Sequence, residues 1–223
     1  MTHEKTFVKT YVLVHGGFHG GWCWHHVAHA LRARGHSVFT PTQTGCGERA
    51  HLISKSITLD TFVDDIANVF LWEDLRDVIL VGHSFGGNSI SGVADRMPER
   101  IRQLIYLDAV MLEGGQTMFG QMPPEVAASR LKAAQASGGV GIAPPEAAYF
   151  GIVDPATGRV RAGPPDCAAP GRLHLAVEPG PSRWQWLARR VRAVHRPGFG
   201  HAAILTGLGE SQGNDNGGDQ DRA

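Results

Sequence analysis

Cysteine is scarce in this chain. Cys23, Cys46 and Cys167 are the only three in 223 residues, and they stand far apart. Such spacing excludes a disulfide framework and a CxxC metal pair, and points to reduced thiols in a cytoplasmic protein. Charge of one sign is also lacking. The 21 basic residues are matched by 21 acidic ones, so no electrostatic field favours nucleic acid or an anionic membrane surface. No apolar run approaches the roughly 20 residues of a membrane-spanning helix. The opening stretch, MTHEKTFVKTYVLV, has no apolar segment followed by a small-residue cleavage site, so a secretory signal is not expected there. No internal repeat is present.

What the chain does contain is alternation. Short aliphatic runs at 10–16 (TYVLVHG), 36–42, 77–83 and 101–109 read as buried strands. They are separated by helix-like segments at 24–35, 59–75 and the small-residue stretch after Ser84, which Pro98 ends. On the first helix Val27, Ala30 and Leu31 are read as the inward face. For the second, Thr61 or Asp60 is the expected N-cap. Strands that are apolar throughout, each followed by a helix, predict an α/β fold with a mainly parallel sheet covered on both faces. Beyond Val110 the composition turns to Ala, Gly and Pro. A helix is expected over 123–136, inside a cap insertion of about 110–171. Residues 172–178 and 189–196 read as further strands. The whole is read as a single domain over 1–206, with a polar, disordered tail at 207–223.

The third strand stops at Gly82-His83-Ser84-Phe85-Gly86. G-x-S-x-G between a strand and a helix has a mechanical reason. The serine occupies a sharp, strained turn, and only small residues two positions away on either side avoid collision. The turn raises the Ser84 hydroxyl above the sheet edge and aims a helix N-terminus at it. Ser84 is therefore the expected nucleophile. His15-Gly16-Gly17-Phe18, directly after the first strand, places backbone N–H groups where an oxyanion would form, with Gly17 and Phe85 as the donors. The base should be a histidine late in the chain. His201, in the loop sequence PGFGHAAIL, fits better than His174 or His195 within strand-like segments. For the acid, Glu178 at the end of RLHLAVE stands first and Asp108 at the end of IRQLIYLDA is the alternative.

Residues HGGFHGGWCWHHVAHALRARGHSVFTPTQTGCGERAHL, WEDLRDVILVGHSFGG and PERIRQLIYLDA resemble the α/β-hydrolase superfamily. The nearest group is the small bacterial esterases similar to plant methylesterases, such as salicylate-binding protein, and to hydroxynitrile lyases. The resemblance is dense over 8–125. It implies a serine esterase that uses no cofactor and acts on a small-molecule ester. Ser84, His201, Gly17 and Phe85 match the family's nucleophile, base and oxyanion positions. The last third departs from the pattern: Glu178-Pro179 holds the place of the family's Asp, and the polar tail replaces a closing helix. The lyases carry Thr after the first-strand histidine and Lys after the catalytic one. Here those positions are Gly16 and Ala202, which favours hydrolysis.

Phe18, His83, Met111 and Phe119 are read as walls of the substrate pocket, with Met118 and Met122 on the lid. The cluster of His19, Cys23, His25, His26 and His29 contains an i, i+4 pair, but it is read as a helix start rather than a metal site. The partners expected are a small ester and, at most, a second copy of the chain, as monomer or homodimer. Two other functions use the same residues: hydrolysis of a carbamate or amide, and non-catalytic ligand binding on the hydrolase fold.

Overall fold

The computed structural model describes residues 8–112, 116–136, 138–139, 141–142, 192–194 and 202–206, the last two segments by their backbone only. Strand β1 (Thr10–Val14) leads through a 3-10 turn, Gly21–Trp24, into α1 (His25–Arg32). Then follow β2 (Ser37–Phe39), α2 (Leu59–Trp72), β3 (Val78–His83), α3 (Gly86–Arg96) and β4 (Ile101–Leu107). Helix α4 (Pro124–Ala136) and strands β5 (Arg192–Val194) and β6 (Ala202–Thr206) complete the described elements. The sheet order is β2-β1-β3-β4-β6-β5.

The first four strands are mutually parallel, as the continuous aliphatic runs predict. Successive side chains of a strand point to opposite faces, and both faces here are covered. Val12, Val14, Val78 and Leu80 join Phe70, Ile90 and Val93 of α2 and α3 in one core. Leu13, Ile79 and Val81 join Trp24 and Ala28 in the other. Arg96 ties α3 to α2 through Asp60 and Asp64.

Three expectations need correction. The inward stripe of α1 is Trp24, Ala28 and Leu31, whereas Val27 is 45% exposed and Ala30 is exposed. Trp24, Ala28 and Leu31 fall at i, i+4 and i+7 on one stripe, with Val27 at its edge and Ala30 farther round. The N-cap of α2 is Thr58, which accepts from the Thr61 N–H. Thr61 returns the bond to the Thr58 backbone as the N3 member of a capping box. Lastly, the expected loop PGFGHAAIL contains the start of strand β6, which runs antiparallel to both β4 and β5 in an otherwise parallel sheet. Only seven residues separate β5 from β6, far short of the dozen or more that a parallel crossover needs. The expected strand at 189–196 is met by β5, and the expected helix at 123–136 by α4. The expected strand at 172–178, most of the cap insertion beyond Ile142 and the tail at 207–223 lie outside the described residues.

Candidate active site

Ser84 follows β3 directly and has φ of 51°. That is left-handed backbone, which a residue with a Cβ rarely adopts. The strain is held by hydrogen bonds on both sides. The Ser84 N–H donates to the Leu107 carbonyl at 3.2 Å, and the Ser84 carbonyl accepts from the Val110 N–H at 3.0 Å and the Gly87 N–H at 3.1 Å. The flanking glycines leave no room for anything larger. A Cβ on Gly82 would lie 2.8 Å from the Gly86 carbonyl oxygen. One on Gly86 would lie 2.6 Å from the His15 carbonyl oxygen. The spacing read from G-x-S-x-G is thus a close backbone approach.

The expected oxyanion loop lies against this elbow. A Cβ on Gly16 would come within 2.9 Å of the Ser84 Cβ and 3.1 Å of His83 Nδ1. Gly17 follows in a turn whose next residue, Phe18, has φ of 68°. Phe85 caps α3 in helical geometry, and its ring packs edge-on against buried Phe62 at 5.5 Å. Three strained non-glycine residues, Phe18, Ser84 and Asp108 (φ of 44°), sit just beyond the carboxyl ends of β1, β3 and β4. These strands are neighbours in the sheet. Strain of this kind concentrates where function demands a fixed geometry.

His15 is wholly buried and fixed in one tautomer. Its Nε2 accepts from the Gln43 N–H at 3.0 Å, so the proton sits on Nδ1, which donates to the Gly16 carbonyl at 2.8 Å. Burial lowers its pKa to about 4. Both ring nitrogens are in use, so His15 holds the loop and is not free to take a proton from Ser84. His83 stands edge-on to Trp24 at 6.3 Å. Burial also lowers its pKa, reinforced by His19 and opposed by the Asp108 charge. Cys23 and Cys46 are free thiols, each pushed up to about 12 by burial. Neither is armed as a nucleophile.

Of the sequence-derived site residues, the structure brings Ser84, Phe85, His83, Gly17 and Phe18 to one end of the sheet. Met111, 37% exposed, lies just after the strained Asp108. Phe119 begins the 3-10 turn that precedes α4. His201 and Glu178 lie outside the described residues. The strand after His201 begins at Ala202, paired with Leu107 at the carboxyl end of β4. Among the described residues, no group of three or more His, Cys, Asp or Glu side chains could hold a metal ion. No described helix is long and apolar enough to cross a membrane. Sequence reasoning missed Gln43 and Ser89, which bond to each other in the core beside the elbow. The one available signal was a hydroxyl-rich run, NSIS, inside a helix otherwise made of small residues.

Comparison with known proteins places the chain among esterases and hydrolases by similarity. A carbendazim hydrolyzing esterase of Nocardioides sp. (strain SG-4G) is 52% identical over 125 residues, which cover 54% of this chain and 52% of that protein. Methylesterase 7 of Arabidopsis thaliana is 36% identical over 110 residues, covering 48% of this chain and 42% of that one. The chain thus spans about half the length of these curated relatives, or less. Among solved structures, an extracellular α/β-hydrolase from a Paenibacillus species superimposes with a TM-score of 0.60. It shares 29% identity over 75% of this chain and 71% of its own, and is described as sharing structural and functional homology with tobacco salicylic acid binding protein 2. The match to a family model runs further than any of these pairwise matches to relatives, over residues 11–212, and on that extent the chain belongs to the alpha/beta hydrolase family.

Proposed function

We propose that the protein is a serine hydrolase that cleaves a small carboxylic ester through an acyl-enzyme. The observation that carries this reading is the Ser84 elbow: a left-handed serine between β3 and α3, with the Gly16 loop packed on its Cβ. In this reading His201 takes the proton from the Ser84 hydroxyl, and the oxygen attacks the substrate carbonyl. The Gly17 and Phe85 N–H groups receive the developing oxyanion. The tetrahedral intermediate then collapses, His201 protonates the departing alcohol, and a water activated by His201 releases the acid.

The register of β6 on β4 supports His201 in this role. Ala202 is paired with Leu107, and the residues that flank this pair in the chain are His201 and Asp108. The same register supports Asp108 over Glu178 as the acid that orients the imidazole. Asp108 also sits close enough to His83, beside the nucleophile, for its charge to oppose in part the lowering of the His83 pKa by burial. The relatives' names put methyl esters and carbendazim first among compounds to test. We place the enzyme in the cytoplasm, a reading supported by the free, buried thiols of Cys23 and Cys46.

The test is p-nitrophenyl acetate hydrolysis by wild type and Ser84→Ala, with fluorophosphonate labelling alongside. Loss of a triad nucleophile costs about 10⁴- to 10⁶-fold, so the variant should fall to background and lose the label. Equal rates and no labelling of wild type would overturn catalysis and leave the binding-protein reading. Asp108→Asn and Glu178→Gln then separate the acids: the true one drops kcat by about 10⁴-fold through a misplaced tautomer.

A further inference from the structure

We infer that Gln43 is a positioning residue that sets the distance between the two oxyanion donors. The inference rests on the hydrolase reading above. Gln43 lies on the loop after β2, is 1% exposed, and reaches both backbone segments that carry those donors. Toward β1, its N–H donates to His15 Nε2 at 3.0 Å and its side-chain Nε2 donates to the His15 carbonyl at 3.3 Å. His15 in turn holds the Gly16 carbonyl, the peptide group that supplies the Gly17 N–H. Toward α3, the Gln43 Oε1 accepts from the Ser89 hydroxyl. Ser89 is one helical turn beyond Phe85, the other donor.

The chemistry of the side chain matters. A primary amide offers a donor and an acceptor side by side at its tip, without charge. A carboxylate would set a buried negative charge against the His15 carbonyl. A thioether would leave that carbonyl and the Ser89 hydroxyl without partners, and buried polar groups do not tolerate this cheaply. His15 and Ser89 are both 0% exposed, so water does not substitute at either end. The His15 carbonyl also lies where α3 begins, 2.6 Å from a Cβ built on Gly86. The amide therefore bridges the point at which the oxyanion loop and the nucleophile helix meet.

Transition-state charge is sensitive to donor placement. A displacement of about 1 Å costs on the order of 10²-fold, and outright loss of one donor costs about 10²- to 10³-fold. Gln43→Met, similar in length, should lower kcat by about 10- to 100-fold and leave KM within about twofold. The kcat/KM pH profile should keep its inflection, because the general base is untouched. Ser89→Ala removes one end of the bridge and should lower kcat by about 3- to 10-fold. The two losses belong to one network, so the double variant should be no slower than Gln43→Met. A kcat unchanged in either single variant would overturn the inference, as would a loss confined to KM or additive losses in the double variant. If Gln43→Met does not fold, Ser89→Ala decides by its own kcat. A wild type without Ser84-dependent turnover would overturn the hydrolase reading and this inference with it. An active wild type indifferent to both substitutions would overturn this inference alone.

Discussion

Helices α3 and α4 are packed in two different ways. In α3, nine of 11 residues are buried, and its first turn touches β1 and the segment after β4 at distances that exclude a methyl group. In α4, with 13 residues, only Ala134 is buried. Its Val126 and Leu131 are exposed at 38% and 45%. The Ser84 elbow and the Gly16 loop are thus over-determined by packing, whereas α4 buries little among the described residues. A catalytic group must be held within fractions of an ångström, and only dense packing does that. A cap that admits substrates has no such need, and elements that move are drawn from the weakly packed end of a structure. Under the proposed function, that difference would leave the chemistry to the elbow before α3 and substrate selection to the region of α4.

The largest expected break in this contrast comes from Gly86→Ala. Its Cβ would meet backbone oxygen of His15 at 2.6 Å and of Val14 at 2.9 Å, and neither can rotate away. Overpacking of this kind costs about 3 kcal/mol, roughly 6–12 °C in Tm for a chain of this size. Calorimetry would check it, and an unchanged Tm would show that the elbow is looser than its geometry implies.

A second, smaller effect uses pH, because His15 stands at the heart of the α3 side. Its folded pKa of about 4 lies below the ordinary 6.5. The unfolded chain therefore binds the extra proton in that window and the native protein does not. The His15 contribution is complete above pH 6.5, declines as pH falls, and is gone below about 4. The slope is about 1.4 kcal/mol per pH unit, or roughly 2 kcal/mol between pH 6.5 and 5, and His83 acts in the same direction. Urea unfolding at the two pH values would show it; equal midpoints would mean that His15 is solvated.

The smallest effect belongs to α4. Leu131→Ser removes an apolar side chain that is already 45% exposed, so stability should change by no more than about 0.5 kcal/mol. A larger loss in denaturant unfolding would show α4 to be seated as firmly as α3.

Much of this was legible before any coordinates. The runs VILVGH and IRQLIYL signal strands through local patterning, and the elbow is a local collision rule written in Gly82, Ser84 and Gly86. The cap of α2 was harder. Thr58, Asp60 and Thr61 all have capping side chains, and only backbone geometry separates Thr58, extended at φ of −122°, from the helical Thr61. The face of α1 depended on which large residue the sheet could receive, and that was Trp24.

Residue type and spacing along the chain determined the α/β class, the nucleophile candidate and the loop beside it, because strand periodicity and the steric limits of a tight turn act over a few neighbours. Tertiary structure alone decided the direction of β6 on β4 and the bridge from His15 through Gln43 to Ser89. Those bonds join residues 28 and 46 positions apart. Nothing in the local sequence marks a glutamine as buried between two backbones; only the folded sheet and helix bring its partners within a hydrogen bond's reach.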